Sequence, residues 1–302
     1  MIQKKQEPLV SIIVNCFNGE RFLRQALDSI LSQTYQNWEV IFWDNQSTDK
    51  SAEIYKSYNE ERFKYFYAPN HTLAAEARNL AIDKSTGEFI AFLDVDDWWL
   101  SSKLEQQIPL FADSTVGFVC GNFYILYEQK NKIVKALKGS IPTGNVLKSL
   151  LNYYYVGLLT LVIRRTALNS LKHKFDIRFE LICDMDIVIR LSINWKADCV
   201  QDTIGYYRIH ENNLTVTKRS RHVEEYEQWL NEIRLIENIK NLPELNNAQT
   251  NLTYTKIKYL IFDKQKGACS KLLYQMPWGK LKLKLLIIFF SPFFIVKKLK
   301  GY

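Results

Sequence analysis

The sequence predicts an α/β fold in which a mostly parallel sheet is covered by helices on both faces. In the first third of the chain, short apolar runs alternate with segments of helical periodicity, as in a series of β-α-β units. The apolar runs are nearly continuous, which is typical of parallel strands buried on both faces. Polar residues follow three of these runs, and the carboxyl ends of parallel strands lie along one edge of a sheet. We therefore expect a ligand site at that edge.

The individual elements follow from hydrophobic periodicity and from turn residues. Strands are expected at 10–14, 38–43, 64–67 and 89–93, and the helices between them at 21–33, 47–58 and 73–84. Ser102 and Glu105 have the spacing of a capping box, which predicts the start of a further helix. The pattern then loosens, with strands expected at 116–127 and 157–163, a helix at 184–191, a strand end at 206–210 and mostly helical sequence over 221–260.

Composition and charge exclude disordered and disulfide-rich classes of protein. With 302 residues, 47% hydrophobic and 24% charged, the chain can form one large domain with an extension. Its five cysteines are scattered, which favours reduced thiols in the cytoplasm, and no signal peptide is expected. Nine lysines follow Asp263 without any acid, so the net charge of +8 arises in the tail and residues 1–263 carry −1. We expect no nucleic-acid partner.

Three carboxylates, Asp94, Asp96 and Asp97, follow the fourth predicted strand directly. Carboxylates are costly to bury unless they are paired or bound to a cation. An Asp-x-Asp pair at a strand end can hold a divalent ion with one or two carboxylates and leave the other positions to phosphate oxygens and water. An acidic loop that merely caps the next helix would look similar, so that alternative stays open.

Eight ordered blocks within about residues 8–215 resemble the family 2 glycosyltransferases, in particular those that build bacterial surface polysaccharides. The blocks lie at 11–18, 27–35, 44–49, 77–79, 87–93, 94–97, 184–190 and 207–210. The resemblance implies the Rossmann-like glycosyltransferase A fold, with a nucleotide-sugar-binding and catalytic domain at 1–215 and a helical extension at 216–302. It also implies an inverting, metal-dependent transfer of sugar from a nucleoside diphosphate sugar, UDP-linked by preference, to a hydroxyl of a glycan or lipid-linked glycan.

The resemblance also implies roles for individual residues. Donor binding is implied for Asn15, Phe17, Asn18, Asp44, Arg78 and Asp94, and a divalent metal ion, Mn²⁺ or Mg²⁺, is implied at Asp96 and His210. Asp44 suits the imide N–H of a uracil ring, because a carboxylate accepts such a bond strongly; the alternative is a cap on the following turn. Arg78 is expected to contact the diphosphate or to hold the aspartates in place. The alternative is that it only forms an ion pair on a helix face.

Asp184 is the candidate catalytic base, which must reach the acceptor hydroxyl on the side of the sugar opposite the phosphates. The family usually has Glu before this Asp, whereas this chain has Cys183. Alternatively Asp184 caps the helix that follows it, and the two roles are compatible. For His210 the alternative to a metal ligand is a hydrogen-bonded residue at a strand end.

Two other functions compete with glycosyl transfer. A sugar-phosphate nucleotidyltransferase would need a Gly-rich phosphate loop after the first strand, where only Gly19 stands. A non-catalytic membrane-associated scaffold with the same fold would not need Asp44, Asp94, Asp96 and Asp184 together. The chain also lacks the Gln-x-x-Arg-Trp block of processive synthases, so addition of a single sugar is expected.

The basic tail predicts contact with an anionic membrane surface. Lysines at 280, 282 and 284 precede the apolar run 285–296, and lysines at 297, 298 and 300 follow it. Twelve residues interrupted by Pro292 are too short to cross about 30 Å of hydrocarbon, whereas lysine-flanked apolar segments lie well in the interface. We therefore expect a cytoplasmic enzyme, peripheral on the inner face of the cell membrane. The alternative is a core helix that packs on the catalytic domain and has solvated lysines at its ends.

Overall fold

A mixed nine-stranded sheet forms the centre of the first part of the chain in this computed structural model, which describes residues 7–262 and 265–291. The strands are β1 (Val10–Cys16), β2 (Trp38–Asp44), β3 (Phe63–Tyr67), β4 (Phe89–Phe92), β5 (Trp98–Trp99), β6 (Val116–Tyr127), β7 (Lys132–Lys135), β8 (Val162–Arg164) and β9 (Lys196–Ile209). Their order is β3-β2-β1-β4-β8-β6-β9-β5, with β7 paired to β6. The pairs among β3, β2, β1 and β4 are parallel, and β8 joins β4 antiparallel.

Helices connect and follow these strands. They are α1 (Leu23–Leu31), α2 (Ser51–Lys56), α3 (Ala74–Asp83), α4 (Lys103–Gln107), α5 (Leu147–Asn152), α6 (Arg165–Asn169), α7 (Cys183–Ser192), α8 (Leu214–Thr217), α9 (Arg219–Ile233), α10 (Glu244–Phe262), α11 (Lys266–Gln275) and α12 (Lys280–Phe290). The predicted α/β class and the four parallel strands are confirmed. Because β1, β2 and β4 are covered on both faces, almost all of their residues are buried.

One predicted strand was wrong in detail, and the helix predicted to start at Ser102 is present without its predicted cap. Residues 157–163 do not form one strand: the backbone N–H of Thr160 donates to the Gly157 carbonyl at 2.8 Å, closing a turn before β8. The capping box is not formed either, because Ser102 makes no side-chain cap bond. Glu105 instead accepts a hydrogen bond from the Thr34 hydroxyl at 2.6 Å. A local turn thus interrupts the predicted strand, and a contact distant in sequence replaces the capping box.

The chain divides into two compact units. The first comprises Met1–Leu126, Ile133–Leu147 and Tyr155–Arg208, and the second comprises Tyr127–Lys132, Lys148–Tyr154 and Ile209–Tyr302. We expected the catalytic domain to end at 215, and the division lies a few residues earlier, after Arg208. The first unit therefore contains the sheet and nearly all of the candidate site residues, with His210 as the exception.

In the second unit, α12 has one buried and one exposed apolar face. Leu285 and Ile288 pack into a core shared with α10 and α11, whereas Leu283, Ile287 and Phe290 are 57%, 60% and 78% exposed. The helix is thus partly core and partly an exposed apolar stripe. The remainder of the predicted run, including Pro292 and the closing lysines, lies outside the described residues. None of the helices in the described ranges has the length and hydropathy needed to traverse a bilayer.

Lys282 of α12 does not have the exposed position that the sequence suggested. Its side chain is buried, and its Nζ donates to the carbonyl oxygens of Tyr274 at 3.2 Å and Met276 at 2.7 Å. These carbonyls end α11, where the helix leaves acceptors without helical partners and carries partial negative charge. Lys282 is therefore a structural cap for α11, while Lys280 and Lys284 are exposed.

A buried carboxylate, Glu39 on β2, is bonded to side chains or backbone of three other segments of the chain. Its Oε1 accepts hydrogen bonds from the Ser11 hydroxyl at 2.6 Å and the Thr86 backbone N–H at 2.7 Å, and its Oε2 pairs with Lys64. Burial would raise the pKa of Glu39, but the hydrogen bonds from Lys64, Ser11 and Thr86 outweigh it and lower the pKa to about 2. The ionised group is therefore part of the folded structure.

We predict that Glu39→Gln lowers the free energy of unfolding by about 2 kcal/mol near neutral pH, because Lys64 loses its acceptor and the bonds from Ser11 and Thr86 are no longer made to an ionised group. The folded-state pKa lies below the ordinary value of 4.5, so this stabilisation is present above 4.5 and is lost as the pH falls towards 2. Urea denaturation at several pH values measures it. Glu88→Gln, on a side chain that is 57% exposed, is the matched control. A difference between wild type and Glu39→Gln that is constant with pH would contradict the assignment.

Candidate active site

Two arginines hold the acidic loop that follows β4. Arg78 of α3 donates from Nη2 to Asp94 Oδ1 at 2.8 Å. From β9, the Arg208 backbone N–H donates to Asp97 Oδ1 at 2.9 Å, and its Nε donates to the Asp96 carbonyl oxygen at 3.0 Å. The loop is therefore fixed by elements that lie far apart in sequence. Arg78 braces an aspartate, as one of its two predicted roles required.

The three carboxylates of this loop lie close enough to affect one another. Asp97 is buried, and burial together with the negative charges of Asp96 and Asp94 raises its pKa well above the ordinary value. Asp94 and Asp96 keep part of their surface exposed. These two hard oxygen donors fit a Mn²⁺ or Mg²⁺ site that takes its other ligands from phosphate and water. No group of three His, Cys, Asp or Glu side chains suited to a metal occurs within the described ranges.

The turn after β1 packs directly on the acidic loop. A Cβ atom placed on Gly19 would lie 2.9 Å from Cγ2 of Val95, closer than such atoms approach in proteins. The Gly19 N–H donates to the hydroxyl of Ser51 at 2.9 Å, which ties the same turn to the start of α2. Glycine is needed here because the turn after β1 approaches the acidic loop too closely for a side chain.

The predicted donor residues after β1 have different environments. Phe17 is 51% exposed, and its ring centroid lies 4.3 Å from that of His71. Asn18 has a positive φ of 53°, and its Oδ1 accepts the Thr48 N–H at 2.8 Å. Asn15 is half-buried and donates from Nδ2 to the Ala74 carbonyl at 3.3 Å. Phe17 thus offers an open aromatic surface, while the two asparagines connect the turn to its neighbours.

Asp44 is enclosed rather than presented to a ligand. It has no exposed surface. Its Oδ1 accepts the Ser47 backbone N–H at 2.8 Å, and its Oδ2 accepts the Tyr65 hydroxyl at 2.7 Å. This geometry favours the alternative in which Asp44 closes the following turn, and the direct contact with uracil stays a prediction. The physical reason is Tyr65 on β3, whose hydroxyl donates to the second carboxylate oxygen.

Asp184 lies in the first turn of α7, one residue after its start rather than at its N-cap. Arg78 connects this turn to the acidic loop, because its Nη1 donates to Cys183 Sγ at 3.5 Å while its Nη2 binds Asp94. Burial raises the pKa of Asp184 to about 6, partly offset by the positive charge of Arg78. A carboxyl with this pKa is suited to accept a proton near neutral pH.

The neighbouring carboxylate, Asp186, has a structural role instead. Its Oδ2 accepts hydrogen bonds from both Nε and Nη2 of Arg190, at 2.8 and 2.6 Å. The same arginine donates to the carbonyl oxygens of His173 and Lys174, so the pair secures the segment before α7. Of the two aspartates in this block, Asp184 is therefore the better candidate for chemistry.

His210 belongs to the second unit and bonds within its own turn. Its backbone N–H donates to Asn213 Oδ1 at 2.5 Å, and its Nδ1 accepts the Asn212 N–H at 3.3 Å. These contacts favour the alternative of a hydrogen-bonded histidine at a strand end. The candidate site described here is built from first-unit residues, and the metal role of His210 stays a prediction.

Sequence reasoning missed His71 and the bracing role of Arg208. His71 stands in a loop between β3 and α3, where no periodicity draws attention to it. Arg208 was part of a recognised block, but only the fold brings its backbone and side chain to the acidic loop. In addition to its bonds there, its guanidinium lies 4.4 Å from the Phe22 ring centroid and 4.8 Å from that of Trp98.

Comparison with known proteins identifies the family. Residues 11–171, more than half of the chain, match the family described as Glycosyl transferase family 2. The chain belongs to glycosyl transferase family 2. It is 36% identical to the UDP-Glc:alpha-D-GlcNAc-diphosphoundecaprenol beta-1,3-glucosyltransferase WfgD of Escherichia coli over 167 residues, which is 55% of this chain and 64% of WfgD. It is 31% identical to WfaP, an Escherichia coli enzyme of the same description, over 70% of this chain and 81% of WfaP.

Solved structures confirm the glycosyltransferase A architecture. TarS 1–349 of S. aureus in complex with UDP-GlcNAc superposes with a TM-score of 0.63 at 16% identity, covering 93% of this chain and 80% of that chain. The mannosyltransferase PcManGT of Pyrobaculum calidifontis, in complex with GDP-Man and Mn²⁺, gives 0.64 at 18% identity, covering 93% and 79%. At these identities the likeness concerns the fold. Family membership favours glycosyl transfer over the nucleotidyltransferase alternative.

We predict that Asp184→Asn lowers turnover by about 10²- to 10⁴-fold while donor binding persists, because an amide cannot accept the proton. Wild-type turnover should rise as the pH increases through about 6, since only the ionised carboxylate is a base. Turnover-pH profiles and calorimetric donor affinity measure both effects. Asp186→Asn is the matched control, expected to lose stability but not turnover per folded molecule. Near wild-type turnover of Asp184→Asn would assign the base elsewhere.

Proposed function

We propose that this glycosyltransferase transfers a single hexose, glucose in the first instance, from a UDP-linked donor to a hydroxyl of a lipid-diphosphate-linked saccharide. The observation that carries the proposal is the chain of contacts from Asp94 through Arg78 to the first turn of α7, which bears Asp184. At the Asp94 end the charges would compensate the leaving diphosphate, and at the other end Asp184 would accept the proton of an attacking hydroxyl. The relatives named above, which are glucosyltransferases acting on GlcNAc-diphosphoundecaprenol, support the choice of donor and acceptor.

The donor end of the site is formed by the edge of the sheet after β1 and β4. The exposed ring of Phe17 is suited to stack on the nucleobase, since aromatic faces pair well with planar rings. Asp94 and Asp96 are suited to hold a divalent cation together with the diphosphate, which supplies charge compensation as the phosphates leave. Arg78 keeps Asp94 oriented and adds a fixed positive charge beside it.

The acceptor end of the site is Asp184. In the proposed reaction the acceptor oxygen bonds to the anomeric carbon as the bond between that carbon and the phosphate oxygen breaks. UDP leaves with the bonding electrons, and Asp184 takes the proton of the attacking hydroxyl. Attack from the side opposite the phosphates inverts the anomeric configuration. The partial burial of Asp184 in α7 supports this role, because it raises the pKa of the carboxyl towards neutrality.

The proposal is tested by incubating the purified protein with candidate UDP-sugars, Mn²⁺ and a GlcNAc-diphospholipid acceptor. We expect acceptor-dependent release of UDP, fastest with UDP-glucose, and a product one hexose longer with a β linkage. Pyrophosphate release from UTP and a sugar phosphate is measured in parallel. Absence of UDP release with every donor would contradict the proposal and favour a non-catalytic scaffold.

We also propose that the exposed stripe of α12, formed by Leu283, Ile287 and Phe290, rests on an anionic membrane surface, where a lipid-linked acceptor would reside. The three residues are spaced as neighbours along one helix face. The exposed Lys280 and Lys284 lie on the same helix and complement negative lipid headgroups. Trp278, 80% exposed, stands just before the helix, and such aromatic rings favour the membrane–water interface.

We predict that replacing Leu283, Ile287 and Phe290 together by serine weakens sedimentation with phosphatidylglycerol vesicles by at least about tenfold. Folding should be kept, because all three side chains are mostly exposed. Leu235→Ser, at an exposed leucine on a different segment of the same unit, is the matched control. Unchanged sedimentation, or a large drop in the melting temperature of the triple variant, would contradict membrane docking by this face.

A further inference from the structure

The hydrogen-bond acceptors at the end of β2 are already engaged within the protein. Both carboxylate oxygens of Asp44 accept bonds from Ser47 and Tyr65. The next residue, Asn45, is also buried; its Oδ1 accepts the Thr72 N–H at 3.1 Å, and its Nδ2 donates to the Thr72 carbonyl at 2.7 Å. Both side chains are buried, so neither presents its acceptors to a nucleobase stacked on Phe17.

His71 offers an acceptor in the same place. Its Nδ1 lies 2.8 Å from the backbone carbonyl oxygen of Asn45. A carbonyl oxygen only accepts, so Nδ1 carries the proton of this bond, and in the neutral imidazole Nε2 is then an unprotonated acceptor. The fold of the β2 end thereby sets the tautomer of an exposed histidine.

The position of the His71 ring suits a uracil base. The ring centroid lies 4.3 Å from that of Phe17, which is 51% exposed. A uracil attached to ribose presents one N–H group, the imide, between two carbonyl oxygens. Cytosine presents a lone pair at the corresponding ring nitrogen, which would face the lone pair of Nε2. An acceptor beside an aromatic platform therefore matches uracil and disfavours cytosine.

We propose that His71 is a specificity-determining residue that accepts the imide N–H of the donor's uracil at Nε2, in the role that the sequence assigned to Asp44. The inference rests on the proposed function, in that the donor is a uridine diphosphate sugar. It predicts that the Asn45 carbonyl, by holding Nδ1–H, is the positioning group for this contact. In this proposal Phe17 stacks on the base, and His71 distinguishes uracil from cytosine.

Two substitutions separate the acceptor of His71 from its structural bond. His71→Asn can keep the donor to the Asn45 carbonyl through its amide but has no acceptor at the position of Nε2. His71→Gln can bring its amide oxygen to that position and is the matched control. Calorimetry with UDP, CDP and N3-methyl-UDP, all with Mn²⁺, measures the three affinities for each protein.

We expect His71→Asn to bind UDP roughly 3- to 10-fold more weakly, the range for loss of one hydrogen bond. Its affinities for CDP and for N3-methyl-UDP, which lacks the imide proton, should not fall below those of wild type, because the substitution removes no hydrogen bond to these bases and relieves the repulsion at Nε2. His71→Gln should keep most of the affinity for UDP. Unchanged UDP binding by His71→Asn, or an equal loss for all three nucleotides, would overturn the inference. Wild type that binds no nucleotide would instead overturn the proposed function on which it rests.

Discussion

The accumulation of negative charge at the end of β4 is the constraint on which the rest of the site depends. Asp94, Asp96 and Asp97 occupy one short loop, and burial together with the charges of the other two raises the pKa of Asp97 well above its ordinary value. Such a loop is stable only if positive groups surround it, and Arg78 and Arg208 do so from α3 and β9. The remaining charge on the partly exposed Asp94 and Asp96 is what a divalent cation would require in order to bind here together with a diphosphate.

This constraint explains several features that appear unrelated in sequence. Arg78 is buried, and although burial would lower its pKa, the negative charge of Asp94 raises it, so the guanidinium stays charged. Because the same guanidinium contacts Cys183, it sets the distance of α7 and its Asp184 from the acidic loop. Because Gly19 has no side chain, the turn after β1 can pack closely against Val95 of the acidic loop. The site is thus assembled around the loop rather than on any one element.

The sequence predicted those features that arise from local patterns. The parallel strands follow from continuous apolar runs, and the meeting of Asn15, Asp44 and Asp94 at one edge follows from their places after parallel strands. The inward orientation of Asp44 was not predictable, because it depends on the hydroxyl of Tyr65, a residue of another strand. The same holds for Lys282. Its sequence context predicts a solvated lysine, whereas in the fold it bonds to the carbonyls at the end of α11.

Loop residues were the least accessible to sequence reasoning. His71 has no periodic neighbours, and its tautomer depends on a backbone carbonyl 26 positions away. The two-residue strand β5 was also missed, since its pairing with β9 is a long-range contact that no short pattern encodes. Elements set by periodicity were therefore found, whereas orientations set by single distant hydrogen bonds were not.

The central claim is that the carboxylates after β4 bind a divalent cation jointly with the diphosphate of the donor. Electron paramagnetic resonance titration of Mn²⁺ against the protein, with and without saturating UDP, tests it most directly. The account predicts that UDP tightens Mn²⁺ binding by about 5- to 150-fold, the usual range of coupling between sites, and that Asp96→Asn removes this increase. Equal Mn²⁺ affinity with and without UDP, or the same increase in Asp96→Asn, would contradict it.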